Sequence, residues 1–299
     1  MRRETVILSV APAGRAVEGP RFRAPNPGFQ LEAEVLRLRN RFAVATLRMT
    51  GLLLLTGCAA LRPVTGVVVA DRPGYTDTPT ALPARSYQVE VGVTDDHVDD
   101  GTYRSAGELL VRAGVGKHVE LRQFGKSYGV HWSPGIESTH GREDAKVGAK
   151  LSLHSAPDSV HGLLPRLALL AATTIATGAE NRTAHKPQPE AKLAAAWTTS
   201  GPFSLYTNFG FGGVYDGTAW GTHAWTSAAL WYAASPKISF FGEGLVVGRV
   251  SGSATASKYL DGGMTYLFSD HLQVDARYGH GVGVVSHEHF VGVGAAWRW

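Results

Sequence analysis

From Arg85 to Trp299 this chain repeatedly alternates apolar residues with small or polar ones, at a period of two. Tyr87, Val89, Val91 and Val93 fall on one face, with Gln88, Glu90 and Gly92 on the other. Val147, Ala149, Leu151 and Leu153 oppose Lys146, Gly148, Lys150 and Ser152. Phe203, Leu205, Thr207, Phe209 and Phe211 alternate with Ser204, Tyr206, Asn208 and Gly210. The stretches 272–278 and 290–299 repeat the pattern. Successive side chains of a strand point to opposite faces, so this pattern is written by strands with one apolar face. The segments 102–113, 117–126, 165–175, 189–199, 222–234, 237–248 and 257–268 have a similar length and fit less cleanly. Together they predict about twelve strands of roughly 9–11 residues, the length a tilted strand needs to cross a bilayer. No apolar run reaches the ~18 residues of a spanning helix.

A soluble β-sandwich also alternates. Three features weigh toward a membrane barrel. The polar face is rich in small residues, and glycine alone accounts for 36 positions. Aromatics gather toward strand ends, at Trp197, Tyr232, Tyr266, Phe268, Tyr278 and Trp297, as in an interfacial girdle. The chain closes an alternating apolar strand on Trp297 and Trp299, in the manner of the signal read by the outer-membrane assembly machinery. Ser200-Gly201, Ser235-Pro236 and Ser269-Asp270 read as tight turns on one side. The connectors 127–143, 176–188, 213–221 and 249–256 read as longer loops on the other, the asymmetry of outer-membrane barrels. The expected fold is an all-β, antiparallel up-and-down transmembrane β-barrel of about twelve strands in the bacterial outer membrane.

The front of the chain follows a different logic. The net charge of +4 misleads, because residues 1–48 hold nine of the 29 basic residues and four of the 25 acidic ones. The remaining 20 basic and 21 acidic residues nearly cancel, so charge gives no case for a nucleic-acid partner. Residues 1–36 carry Pro and Gly throughout and no period, and read as a disordered or non-mature leader. Residues 37–57 combine a basic stretch with the short apolar "MTGLLLLTG", the layout of an export signal. Such a leader is long for a signal, and we expect translation to start downstream of Met1. Leu55-Thr56-Gly57-Cys58 resembles a bacterial lipobox, in which cleavage precedes a cysteine whose sulfur takes diacylglycerol. The only cysteine, Cys58, is thus the candidate lipidation site. Ordinary cleavage near Ala70 is the alternative. Residues 58–84 then form a linker or a plug ahead of the barrel at 85–299.

"DRPGYTDTPTALPARSYQVEVGVT", residues 71–94, carries a family resemblance. Asp71-Arg72-Pro73, Thr76-Asp77 with Pro79, Leu82-Pro83, and then Gln88, Glu90 and Gly92 resemble the opening of the outer-membrane family named for the meta-pathway of phenol degradation. "RAGVGKHVELRQFG", "DAKVGAKLSL", "LALLAATTIATG" and "LQVDARYGHGV" are similar to its later strands. Ala84-Arg85 stands where that family usually has a glycine. The resemblance implies a transporter-like outer-membrane barrel and implies no catalytic residues.

With apolar faces on lipid, the lumen would receive Glu90, Arg112, Glu120, Arg122, Lys146, Lys150, Lys192, Glu243, Asp275 and Arg277. Both signs occur in similar numbers. Buried charges must pair or stay hydrated, so they either plug the lumen or line a narrow wet path. The partners expected are outer-membrane lipid, the assembly machinery and a small-molecule solute. No cofactor or metal is expected, because the pair His287 and His289 in "SHEHF" is two ligands short of a site. "GFGGV" and "GHGVG" lack the strand–helix context of nucleotide loops. Three functions stay open: a pore for small, hydrophobic-leaning solutes, a closed structural or surface-binding barrel, and a barrel enzyme acting on lipid. The first is preferred, and no enzymatic activity is expected.

Overall fold

The computed structural model describes residues 66–125, 127–154, 164–249, 256–285 and 288–299. Cys58 and His287 lie outside them. The fold is a closed antiparallel β-barrel of twelve staves. Nine staves are single strands. They are β1 (Tyr87–Val98), β8 (Arg166–Ile175), β9 (Pro189–Thr198), β10 (Phe203–Tyr215), β11 (Trp220–Ala233), β12 (Ile238–Arg249), β13 (Ser257–Ser269), β14 (Leu272–Val282) and β15 (His289–Arg298). The other three are each broken in two: β2 (Gly101–Ala106) with β3 (Leu110–Gly114), β4 (Val119–Phe124) with β5 (Tyr128–Ser133), and β6 (Ile136–Arg142) with β7 (Ala145–His154). Pairing of β15 with β1, from Gln88↔Arg298 to His97↔His289, closes the sheet and removes its edges.

The three breaks lie side by side. Tyr87–Glu90 of β1 pairs with β3, and Val93–Val98 pairs with β2. The upper segments continue as a small sheet, β2–β5–β6, while the lower ones continue as β3–β4–β7. At the third break Asp144 accepts hydrogen bonds from the amides of Thr177, Gly178 and Ala184 at 2.7–3.0 Å. This ties down the connector between β8 and β9. That connector's short 3-10 turn, Glu180–Arg182, covers β6, with Arg182 donating to the Thr139 carbonyl at 2.9 Å.

Alternation sets which side faces lipid. Phe209, Leu260 and Val293 are 57%, 60% and 56% exposed, whereas Glu90, Glu120 and Lys150 are fully buried. A soluble protein reverses this order, so the apolar belt is the lipid face of an outer-membrane barrel. Replacing Phe209 by Arg in mid-belt is therefore expected to destabilise folding into lipid vesicles by ~2–4 kcal/mol, the cost of a lipid-facing cation near the midplane. Urea titration of the vesicle-folded protein measures it.

Two loop expectations need correction. Residues 127–143 are mostly strand, forming the β5–β6 hairpin, and β10 and β11 leave only 216–219 between them. Neither β5 nor β6 carries a clear apolar face, because polar residues such as His131, Thr139 and His140 interrupt it. The connector after β7, on the tight-turn side, spans 155–165. The one-sided loop pattern therefore fails at the β5–β6 and β10–β11 connections, which are as short as the tight turns.

Candidate functional site: the filled lumen

The inner wall and residues 67–84 form one hydrogen-bonded unit. The segment begins beside the β13–β14 turn, where the Val68 amide donates to the Asp270 carbonyl at 2.7 Å. Arg298 donates to the Val67 carbonyl at 3.0 Å. The chain then runs inside the barrel and leaves over β3, where Gly114 has no room for a side chain against the Pro83 carbonyl.

Asp71 is the hub. Its carboxylate receives Arg122 at 2.5 Å and Lys150 at 3.0 Å, with Arg112 at 3.6 Å. Burial alone would raise the pKa of this carboxyl, but Arg112, Lys150 and Arg122 outweigh it and hold the group well below the usual range. The amides of Asp71 and Arg72 donate to Glu90 at 3.1 Å. Glu90 in turn pairs with Arg112 at 2.9 Å, and Arg112 with Glu120 at 2.8 Å. Glu120 also accepts the Leu82 amide at 2.8 Å. Asp77 takes Arg122 at 3.1 Å and is joined by Lys192. Asn208 brackets the same residue, its side-chain oxygen accepting the Asp77 amide at 2.8 Å.

Arg72 reaches the adjoining wall, to Glu108 at 2.6 Å and Asp275 at 3.4 Å. Its guanidinium lies on Gly92 and Gly294, register partners across β1 and β15, where a Cβ would stand 2.3 Å from it. The two parts of the sequence motif thus recognise each other. Asp71-Arg72 is held by Glu90 and Gly92, while Gln88 donates to the Val69 carbonyl at 3.0 Å.

Of the ten charges expected inside the barrel, nine touch this segment directly. Glu243 accepts the Tyr75 amide at 2.7 Å and the Thr76 hydroxyl. Arg277 donates to the Pro73 carbonyl at 2.9 Å and to Thr94 at 3.0 Å. Lys146 stands apart, paired with Glu190 at 2.9 Å. Sequence reasoning missed Asp71, Arg72 and Asp77 as the partners of these charges, although the motif itself marked them. It also missed Glu108, Asp261 and Asn208. Trp297 points outward on β15.

The other departure is apolar. Leu245, Val247, Tyr259, Val285 and Phe290 form a buried cluster, with Tyr75 and Trp225 packed on it. Inward-facing apolar residues of β12 face an inward fold of the β14–β15 connector. Tyr259 anchors that connector by donating to Glu288 at 2.8 Å. A recess of about 20 Å³, room for a water molecule, remains between Tyr75, Asp96, Tyr259, Glu288 and Phe290.

Ser133, His131 and Asp100 come near the arrangement of a hydrolase. Ser133 Oγ lies 3.4 Å and Asp100 3.6 Å from His131, but both approach the same Nε2. A base must take a proton on one ring nitrogen while the other is oriented by the acid, so this set is no relay.

The sequence matches the family model described as "Putative MetA-pathway of phenol degradation" over residues 70–299. None of the curated proteins matches it. Among solved structures it resembles the COG4313 outer membrane channel from Pseudomonas putida F1, with a TM-score of 0.58 and 13% identity. That match covers 78% of this chain and all of the channel. It also resembles the NanC porin, with a TM-score of 0.50 and 8% identity, over 70% of this chain and 98% of the porin. Likeness at this identity speaks to the fold alone.

Proposed function

Since this chain belongs to the MetA-pathway-of-phenol-degradation family, we propose that its barrel passes small, predominantly apolar solutes across the outer membrane. The observation that carries this reading is the inner wall. A lumen built only to be closed by charge has no need of Trp225, Leu245, Val247, Tyr259 and Phe290 on its inside, and these give an apolar solute a surface to follow. In this reading residues 67–84 are a plug that must shift for passage. Purified protein reconstituted in liposomes is expected to admit small neutral aromatic solutes faster than sugars of equal size. Equal exclusion of both, with the barrel intact by heat-modifiable gel migration, overturns it.

The closed structural barrel is the second reading, favoured by how completely the segment's backbone and carboxylates are bonded to the wall. The same liposome experiment separates the two. The lipobox further supports a mature chain that begins at Cys58 and carries diacylglycerol on its sulfur. Palmitate labelling is expected in the wild type and absent in Cys58→Ala, and an unlipidated mature N-terminus near Ala70 would refute it.

A further inference from the structure

Tyr75 is held inside the barrel in the manner of a ligand. Its amide donates to Glu243 at 2.7 Å. Its ring meets Phe290 edge-on at 5.8 Å, and the Arg277 guanidinium covers its face at 4.8 Å. The Phe290 ring in turn lies over Gly279, where a Cβ would come within 2.0 Å of it. The atoms that make these contacts, a nitrogen, two carbons and an aromatic ring, are the skeleton of an arylethylamine.

The surroundings are short of positive charge. Asp261 sits opposite Glu243 across β12 and β13, and opposite Gly279 across β13 and β14. It is 92% buried and its carboxyl neighbours the Glu243 carboxyl, while no N–H or hydroxyl donor meets either of its oxygens among the described residues. One oxygen each of Asp96, Glu108 and Asp275 is likewise without a partner there. The nearby cations Arg72 and Arg277 serve other acceptors through their terminal nitrogens, and the Nε of each meets none of these oxygens. The Tyr75 amide and the Thr76 hydroxyl on Glu243 are both neutral donors and neither reaches Asp261, whereas an ammonium would bring a positive charge and three donors to the pair.

We propose that Tyr75 occupies the binding site of an arylalkylammonium cation. The aromatic ring of that solute replaces the Tyr75 ring against Phe290 and Arg277, and its ammonium binds Glu243 and Asp261. The proposal deepens the pore reading by naming its solute class, and it rests on that reading for the solute to enter. Binding itself is separable from transport.

The test uses the full chain in nanodiscs and the probe phenethylammonium, with 2-phenylethanol as its uncharged counterpart and ethylammonium as the ringless one. Equilibrium binding is expected to favour phenethylammonium over both by at least ten-fold. Asp261→Asn should weaken it about ten-fold and leave 2-phenylethanol unchanged. Tyr75→Ala keeps the backbone amide but vacates the ring's place against Phe290 and Arg277, and should tighten phenethylammonium binding about ten-fold, where a purely structural Tyr75 predicts weaker or unchanged binding. Equal affinity for phenethylammonium and 2-phenylethanol in the wild type overturns the proposal and needs no variant to fold. If binding follows expectation while liposome uptake fails, the pore reading falls and the site stands.

Discussion

Deleting residues 67–80 is expected to raise single-channel conductance by roughly ten-fold or more, since the conducting path is set by what fills the lumen. The barrel does not need the segment to close, because its twelve staves are joined by their own ladders and by β15 with β1. Removing the segment leaves Arg122, Lys150 and Lys192 without Asp71 and Asp77. Water entering the emptied lumen hydrates them, so the deletion should keep its heat-modifiable migration. Asp71→Asn is the milder form and should produce brief openings. The pH dependence follows from the lowered Asp71 carboxyl. A group depressed in the folded state stabilises it above its unfolded value, and that contribution disappears as pH falls through the folded value. Wild-type conductance should thus stay flat from neutral pH down through the ordinary carboxylate range and rise only in stronger acid. Planar-bilayer recording reads both outcomes, and unchanged conductance in the deletion would show that the segment is not the barrier.

Arg112→Ala is expected to be the most damaging single substitution in the lumen. Arg112 is about 1% exposed and bonds Glu90, Glu120 and the Val69 carbonyl. Its loss takes from Glu90 its only ion-pair partner among the described residues, leaves Glu120 with Arg122 at 3.3 Å alone, and lets the start of the segment go, and removing one partner of a buried ion pair costs about 3–5 kcal/mol. Arg104 makes a shorter pair with Asp95, at 2.6 Å, but its side chain is 46% exposed. Water takes the place of that partner, and Arg104→Ala should leave stability unchanged. Urea unfolding of the two variants in vesicles measures the contrast. Equal effects would mean that the lumen is as wet as the surface.

The strands were legible because lipid outside and polar groups inside impose period two on any segment that separates them. Gln88, Glu90, Lys146, Lys150, Asp275 and Arg277 fell on the inner face by parity alone. Parity placed Glu243 of β12 inside but not its apolar neighbours, because Phe240 and Phe241 are adjacent and Leu245, Val246 and Val247 run together. Only Glu243 marks the inner parity there, and the apolar residues that share it, Leu245 and Val247, carry no such mark. Tyr259 and Phe290, from two other strands, receive Leu245 and Val247 in the lumen. The β5–β6 hairpin was missed for a related reason, since its polar residues blur the apolar face that the pattern needs.

The amino-acid sequence by itself determined the strands, the closed barrel they build, the family and the charges that must leave the lipid face, because each follows from local period or composition. Only the tertiary structure decided that residues 67–84 turn back to satisfy those charges. Glu90 lies 18 residues from Arg72, and Arg277 lies 204 from Pro73. A buried charge demands a partner but does not say where along the chain to find it. That choice is made when the barrel closes and its interior must be filled.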